Sequence, residues 1–301
     1  DQVSSMTASF SPKDYLLATI EDKGTVCLWN LQGKLLKKCK EEQRQILSIS
    51  FSPDGQQFAT AGEEGTVRLW DLQGNFLKQL NPGLGWIRSI SFSPKRQLLA
   101  IAGLKGTLLW NLQDGKSKKL PEPENNWIWN VSFSPDGQQL ATAGGDGIAR
   151  LWNLQGKLLK EFPKHKDKLR SVSFSPDGKM LAIAGDNDNV RLWNLQNSQF
   201  RELSQPDNSI WNVSFSPDNR WLATAGGDGN VRLWNLQGGS SLDLAKHQGR
   251  VRSVYFSPDA KLLATAGDND TVRLWDLQDK YLAELKGHQG KVKSISFTPD
   301  S

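Results

Sequence analysis

Short apolar runs separated by turn residues recur along the whole chain. In residues 209–249, an apolar run that ends at Phe215 precedes a polar Ser-Pro-Asp turn, and a second run, 221–225, ends in Gly-Gly-Asp-Gly. Residues 231–235 alternate between apolar and polar positions, which is the period of a half-buried strand. A more polar run follows at 241–245. Four short runs with turn signals between them predict a small antiparallel sheet of four strands.

This four-strand unit repeats every 41 residues. A phenylalanine followed by Ser-Pro, or by Thr-Pro in the last copy, marks each repeat, at Phe10, Phe51, Phe92, Phe133, Phe174, Phe215, Phe256 and Phe297. A Leu-Trp pair follows in each of the first seven copies, with its tryptophan at Trp29, Trp70, Trp110, Trp152, Trp193, Trp234 and Trp275. Because a small sheet with two apolar faces cannot stand alone, we expect seven such sheets to pack around an axis. The sequence predicts an all-β, seven-bladed β-propeller of four-stranded antiparallel blades, with these tryptophans packed between blades.

The repeats also define the expected organisation of residues 1–301 as a single propeller domain. The blades should span about 4–40, 45–81, 86–122, 127–163, 168–204, 209–245 and 250–286, with an extra innermost strand at 291–298. The third copy is one residue short before Trp110 and one residue long around 113–116. The extra strand either displaces the first one and closes the ring, or begins further repeats of a longer parent chain. The poorer match of the first copy favours a fragment of a longer protein.

The repeat resembles the WD40 family over essentially the whole chain. The resemblance rests on Phe-Ser-Pro-Asp-Gly turns, on Ala-Thr-Ala-Gly strand ends and on Leu-Trp-Asp or Leu-Trp-Asn strand ends, for example at 133–137, 141–144 and 233–235. Copies this alike are similar to the WD40 arrays of bacterial, particularly cyanobacterial, multidomain signalling proteins. The resemblance implies a rigid, non-catalytic scaffold or sensor module that binds a protein or peptide partner or neighbouring domains of the parent chain.

The family often ties each blade together with a loop histidine, a strand threonine or serine, a turn aspartate and the strand tryptophan. In this chain His247, Thr265 and Trp275 fit that network, with Asn269 or Asp270 at the turn. His165 instead faces Ile183, which cannot form a hydrogen bond. We therefore expect the network to be complete in few blades.

Related propellers use one mouth of the axial channel for binding. Its residues lie four and six positions before the repeated phenylalanine and just before the turn aspartate. The rim residues singled out here are Trp86, Arg88, Trp127, Trp129, Arg170, Asp186, Trp211, Arg250, Arg252 and Asp268. Tryptophan and arginine dominate binding hot spots, so we expect a protein or peptide to dock here, with Trp129 and Trp211 as apolar anchors. The alternative is that Arg170–Asp186 and Arg252–Asp268 are ion pairs within blades and that the tryptophans pack across blades.

Composition narrows the partner classes. A formal net charge of +5, from 37 basic and 32 acidic residues, permits a nucleic-acid partner without predicting one. Nucleic-acid binding by the same tryptophans and arginines is the second hypothesis, and a purely structural spacer is the third. No apolar run approaches the ~18 residues of a membrane span. The cysteines, Cys27 and Cys39, are expected to be buried thiols of a cytoplasmic protein.

Catalytic and metal-binding signals are weak. The sequence contains no nucleophile elbow, no phosphate-binding Gly-Lys motif and no paired carboxylates outside the turns. The Asp-rich turns at 185–189 and 267–271 lack the acidic twelfth ligand of a calcium loop. The three histidines lie in loops of separate blades. We therefore expect no enzyme activity, cofactor, metal or small-molecule substrate.

Overall fold

Seven small antiparallel sheets surround an axis in the computed structural model. The model describes residues 16–21, 24–30, 34–40, 45–95, 97–186, 189–204, 209–244, 247, 249–257, 259–268, 271–277 and 281–285. The described residues form strands and turns, so the predicted all-β propeller is confirmed. The two strands expected to compete for closure of the ring, 4–11 and 291–298, lie outside the described residues.

The strands follow one another from the axis outwards within each sheet. Blade one contains β1 (Leu16–Glu21), β2 (Thr25–Asn30) and β3 (Leu35–Lys40); blade two contains β4 (Ile46–Phe51), β5 (Gln57–Gly62), β6 (Val67–Asp71) and β7 (Phe76–Leu80). Blade three contains β8 (Ile87–Phe92), β9 (Leu98–Gly103), β10 (Gly106–Asn111) and β11 (Ser117–Lys119); blade four contains β12 (Ile128–Phe133), β13 (Gln139–Gly144), β14 (Ala149–Asn153) and β15 (Leu158–Glu161).

The remaining three blades keep the same plan. Blade five contains β16 (Leu169–Phe174), β17 (Met180–Gly185), β18 (Val190–Asn194) and β19 (Phe200–Leu203); blade six contains β20 (Ile210–Phe215), β21 (Trp221–Gly226), β22 (Val231–Asn235) and β23 (Ser241–Leu244). Blade seven contains β24 (Val251–Phe256), β25 (Leu262–Gly267), β26 (Val272–Asp276) and β27 (Tyr281–Leu285). From blade two to blade seven, each innermost strand packs beside that of the next blade.

The core lies between neighbouring blades. At the junction of blades four and five, Ala141 and Ala143 of one blade pack with Val172, Phe174 and the strand tryptophan of the next. Small residues on the second strand leave room for that large ring, which explains why the Ala-Thr-Ala pattern and the Leu-Trp pair recur together. Six of the strand tryptophans are buried, whereas Trp110 of the irregular third copy is only half-buried.

Hydrogen bonds around the axis connect successive blades. A serine or asparagine on one innermost strand accepts a hydrogen bond from a backbone N–H of the next blade. Ser48 Oγ accepts from Ile90 at 3.0 Å, and Asn130 Oδ1 accepts from Val172 at 2.9 Å. Asn212 Oδ1 accepts from Val254 at 2.9 Å. Since buried backbone donors require partners, these side chains help to fix the ring.

Candidate functional site at the channel mouth

The rim positions four residues before the repeated phenylalanine are β-bulge residues. In blades two to seven the pairing of the first two strands skips one residue between, for example, Ile128 and Asn130, so that Trp129 has no pairing partner. The same shift occurs at Arg88, Arg170 and Arg252. A bulge re-aims the side chain that it carries. From blade two to blade seven, the repeat therefore places one re-aimed residue on each innermost strand.

Across blades three to five these side chains form a stacked arc. The guanidinium carbon of Arg170 lies 4.3 Å from the centroid of the Trp129 ring, and that of Arg88 lies 4.7 Å from it. Arg88 also lies 5.5 Å from the ring centroid of Trp86. These separations are within the range of cation–π attraction. Trp129 is 5% exposed and Arg88 4%, so the arc is a buried layer beneath the rim.

Carboxylates neutralise part of this layer. Both oxygens of Asp186 accept hydrogen bonds from Arg170 Nε, each at 3.0 Å. In blade seven Arg252 Nε donates to Asp268, and the guanidiniums of Arg252 and Arg250 lie 5.1 and 5.5 Å from the centroid of Trp211. These contacts are the ion pairs and cross-blade stacking that the sequence offered as the alternative to binding.

Arg88 has a different electrostatic setting because Leu104 stands where blades five and seven have aspartate. Burial lowers the pKa of Arg88 to about 10, Glu63 opposes this effect, and the nearby charge of Arg170 adds to it. The guanidinium is still protonated at neutral pH. Two buried cations thus share the Trp129 ring.

Five of the rim residues are not buried. Trp127 is 46% exposed, Arg250 is exposed, and Trp86, Asp186 and Asp268 are half-buried. The Trp127 ring lies 6.1 Å from that of Trp129 and is tilted against it. A cavity of about 370 Å³ opens beside it, lined by Pro123, Glu124, Asn125, Asn126, Trp127, Trp129, Gly145, Asp146 and Lys168. This rim cavity is a concave surface formed by two predicted rim residues, Trp127 and Trp129, together with the loop before them.

The two tryptophans expected to be apolar anchors are therefore buried and not exposed to a partner. Trp129 and Trp211 are only 5% and 8% exposed. Residues 120–126, which precede Trp127 and supply much of the cavity wall, were absent from the predicted site. Its signal in the sequence was the departure of Pro-Glu-Pro-Glu at 121–124 from the repeat.

The histidine–threonine–tryptophan part of the predicted network of blade seven is confirmed, whereas its turn position, Asn269 or Asp270, lies outside the described residues. His247 Nε2 lies 2.7 Å from Thr265 Oγ1, and the same hydroxyl oxygen accepts a hydrogen bond from Trp275 Nε1 at 2.8 Å. The tryptophan–threonine bond recurs in blades one, two, four and six, for example from Trp152 to Thr142 at 3.0 Å. In blade five, where Ile183 replaces threonine, Trp193 Nε1 is buried without a hydrogen bond to any described residue.

Other site classes find no support among the described residues. No group of three His, Cys, Asp or Glu side chains in this part of the chain could hold a metal ion. Nor do the described residues include a helix that is long and apolar enough to cross a membrane. Cys27 and Cys39 are buried thiols that form no disulfide.

Comparison with known proteins identifies the family. No curated protein matches the chain. The family model of the IFT122 first beta-propeller matches two overlapping stretches, residues 4–245 and 125–301. Overlapping matches are what near-identical repeats produce, because one model fits in more than one register. The match supports the WD40-like propeller, whereas the likeness to bacterial and cyanobacterial arrays stays a prediction. The chain belongs to the family of the IFT122 first beta-propeller.

Proposed function

We propose that this propeller is a non-catalytic interaction module that binds a segment of a protein partner in the rim cavity beside Trp127. The observation that carries the proposal is the 46% exposure of the Trp127 side chain at the wall of a concave cavity. Tryptophan is enriched in binding hot spots, and binding sites are commonly concave and lined by aromatic side chains. Propeller folds commonly serve as interaction scaffolds; the protein partner and its binding site are what we propose.

The buried arc beneath the cavity favours this use. Trp129 contacts both Trp127 and two guanidiniums, and Arg170 is fixed by Asp186. Side chains that are already immobile lose little entropy when a partner arrives. The arc therefore acts as a rigid floor, and Trp127 is the anchor in place of Trp129 and Trp211.

The charges at the cavity favour a protein segment over nucleic acid. Its wall carries Lys168, but also Glu124 and Asp146. Nucleic-acid sites gain their affinity from uncompensated cations, and Arg170 and Arg252 are engaged by aspartates. A mixed wall suits a partner that contributes an apolar residue flanked by polar groups. Buried thiols without a disulfide suit a reducing compartment such as the cytoplasm, and the partner can equally be a neighbouring domain of a longer parent.

The test uses the 301-residue chain as bait in lysate of its source cell, at two salt concentrations and with or without nuclease. The wild-type chain should capture a discrete protein that stays bound after nuclease treatment and at the higher salt concentration, and Trp127→Ala should not capture it. Phe76→Ala is the matched control, because Phe76 is a comparably exposed aromatic residue, at 54%, on the outer strand of blade two. Equal recovery by the wild-type chain and Trp127→Ala would refute the proposed site, and loss of the captured material on nuclease treatment would favour the nucleic-acid hypothesis.

A further inference from the structure

Glu122 places a carboxyl group in the junction between blades three and four. It lies in the loop 120–127, between β11 and β12, and its N–H donates to Leu120 O at 2.9 Å. Both carboxyl oxygens are buried, and neither forms a well-aligned hydrogen bond with a described residue. A buried carboxyl in this condition needs an explanation, because an unsatisfied polar group is costly.

The shortened hairpin of blade three creates the space for this side chain. Gly106 follows the two-residue turn left by the missing residue and has φ +103°. A Cβ at Gly106 would lie 3.1 Å from Glu122 Oε2, with Lys119 Cε at 3.7 Å. The carboxyl group therefore lies against glycine backbone on the blade-three side.

On the other side, Glu122 takes the role that histidine has in blade seven. His247 reaches Thr265, which accepts from Trp275. Thr142 and Trp152 are the same pair in blade four, and the carboxyl of Glu122 interacts with Thr142. A histidine can donate or accept there, whereas a carboxyl can donate only while it is protonated.

The protonation state of Glu122 changes near neutral pH. Burial raises the pKa of Glu122 to about 7; the hydroxyls of Thr142 and Thr107, the N–H of Thr107 and the charge of Arg150 lower it by less. Arg150 is itself held by Asp146 and Glu161, each at 2.7 Å, so it offers only a shared cation. The charged groups facing the carboxyl are thus Arg150 with its two acids on the blade-four side and Lys119 on the blade-three side.

The same loop forms the wall of the rim cavity. Four residues after Glu122, Asn126 is 6% exposed, and its Oδ1 accepts a hydrogen bond from the N–H of Asp146 at 3.1 Å. Trp127 follows directly. A shift of the loop at Glu122 would therefore move the residues that shape the cavity.

We propose that Glu122 is a proton-operated latch of the rim cavity: the neutral carboxyl keeps the loop 120–127 seated between blades three and four, and its ionisation loosens the loop and reshapes the cavity. This inference rests on the proposed function, since it regulates the same site. Ionisation is unfavourable in this junction because the carboxylate is desolvated and its nearest cation is shared. The seated form is favoured below about pH 7 and the loosened form above it.

Nuclear magnetic resonance of the whole chain without a partner tests the latch directly. The indole N–H of Trp127 and the amides of Asn126 and Asp146 should titrate together with a midpoint near pH 7. In Glu122→Gln, which mimics the neutral carboxyl, these signals should stay at their low-pH positions. Glu124→Gln is the matched control, because Glu124 is an exposed acid of the same loop, and this variant should titrate like the wild type.

Signals that do not move between about pH 6 and about pH 8, roughly one unit either side of the midpoint, would overturn the latch. An unchanged titration in Glu122→Gln would overturn it as well. The outcome is separate from that of the capture experiment. If the signals titrate but Trp127→Ala still captures the partner, the latch stands and the proposed function is refuted. If Trp127→Ala loses the partner but the signals do not titrate, the proposed function stands and the latch is refuted.

Discussion

Replacing Thr265 by valine removes one hydroxyl from the centre of blade seven with almost no change in volume. Thr265, Trp275 and His247 are 0%, 1% and 2% exposed, so water cannot replace the lost group. Trp275 Nε1 and His247 Nε2 both lose their contact with Oγ1. The substitution is therefore a direct measurement of what the threonine contributes to a blade.

The expected loss follows from the two buried groups left behind. A buried donor without a partner costs about 1–3 kcal/mol. Because the histidine can take its other tautomer and the loop can relax, we expect a total decrease in the free energy of unfolding of about 2–4 kcal/mol. That decrease is a large part of the free energy of unfolding of a typical protein, which is roughly 5–15 kcal/mol.

Urea unfolding gives the free energy of unfolding by linear extrapolation, and the slope should stay unchanged if the folded and unfolded states keep their compactness. Thr271→Val is the matched control in the same blade. Its hydroxyl is buried but forms no hydrogen bond with a described residue, so this variant should lose no more than about 0.5 kcal/mol. Equal losses in the two variants, or a loss below about 0.5 kcal/mol in Thr265→Val, would show that the hydrogen bonds do not hold the blade.

Two further variants test the ring and its turns. Asn212→Ala removes the acceptor of the Val254 N–H, which should lower the free energy of unfolding by about 1–3 kcal/mol in urea titrations; an unchanged midpoint would contradict the inter-blade role. Asp136→Asn removes a carboxyl whose pKa is lowered, chiefly by the hydrogen bond from Ser134. Because this pKa is lower in the folded state, the ionised carboxyl stabilises the fold above the ordinary value of 3.8. This stabilisation is lost as the pH falls through the folded-state pKa. The wild type should therefore melt at a higher temperature than Asp136→Asn near neutral pH, and the two should converge in acid.

The sequence predicted the architecture well because the period alone determines it. The repeated Phe-Ser-Pro turn and the Leu-Trp pair mark the first and third strands of a blade, and the Ala-Thr-Ala run marks the second. Small residues must face the large ring of the next blade, so the pairing of these motifs also predicted where the core lies. The strands begin and end close to where the turn residues placed them.

The candidate site was harder to predict, for a physical reason. A fixed period says which residues share a position, but not where a bulge aims them. Arg88, Trp129 and Arg170 occupy equivalent repeat positions and lie next to one another, yet their mutual stacking buries them. In the sequence, only the spacing of Arg170 and Asp186 indicated this burial. An arginine paired with an aspartate cannot use the same N–H groups to bind a partner. The informative departures were instead those from the repeat, in the loop 120–127.

Burial of the arc and exposure of Trp127 are two consequences of one arrangement. Two guanidiniums need a shared aromatic ring and nearby acids to remain buried, and Trp129 with Asp186 meets part of that need. Trp129 cannot serve a partner while it does so. Trp127, two residues earlier in the loop that precedes the strand, rests against this fixed layer with nearly half of its surface in water. A rigid ring on a rigid floor loses little freedom on binding, so the residues that the repeat made structural are the reason why the neighbouring one is suited to recognition.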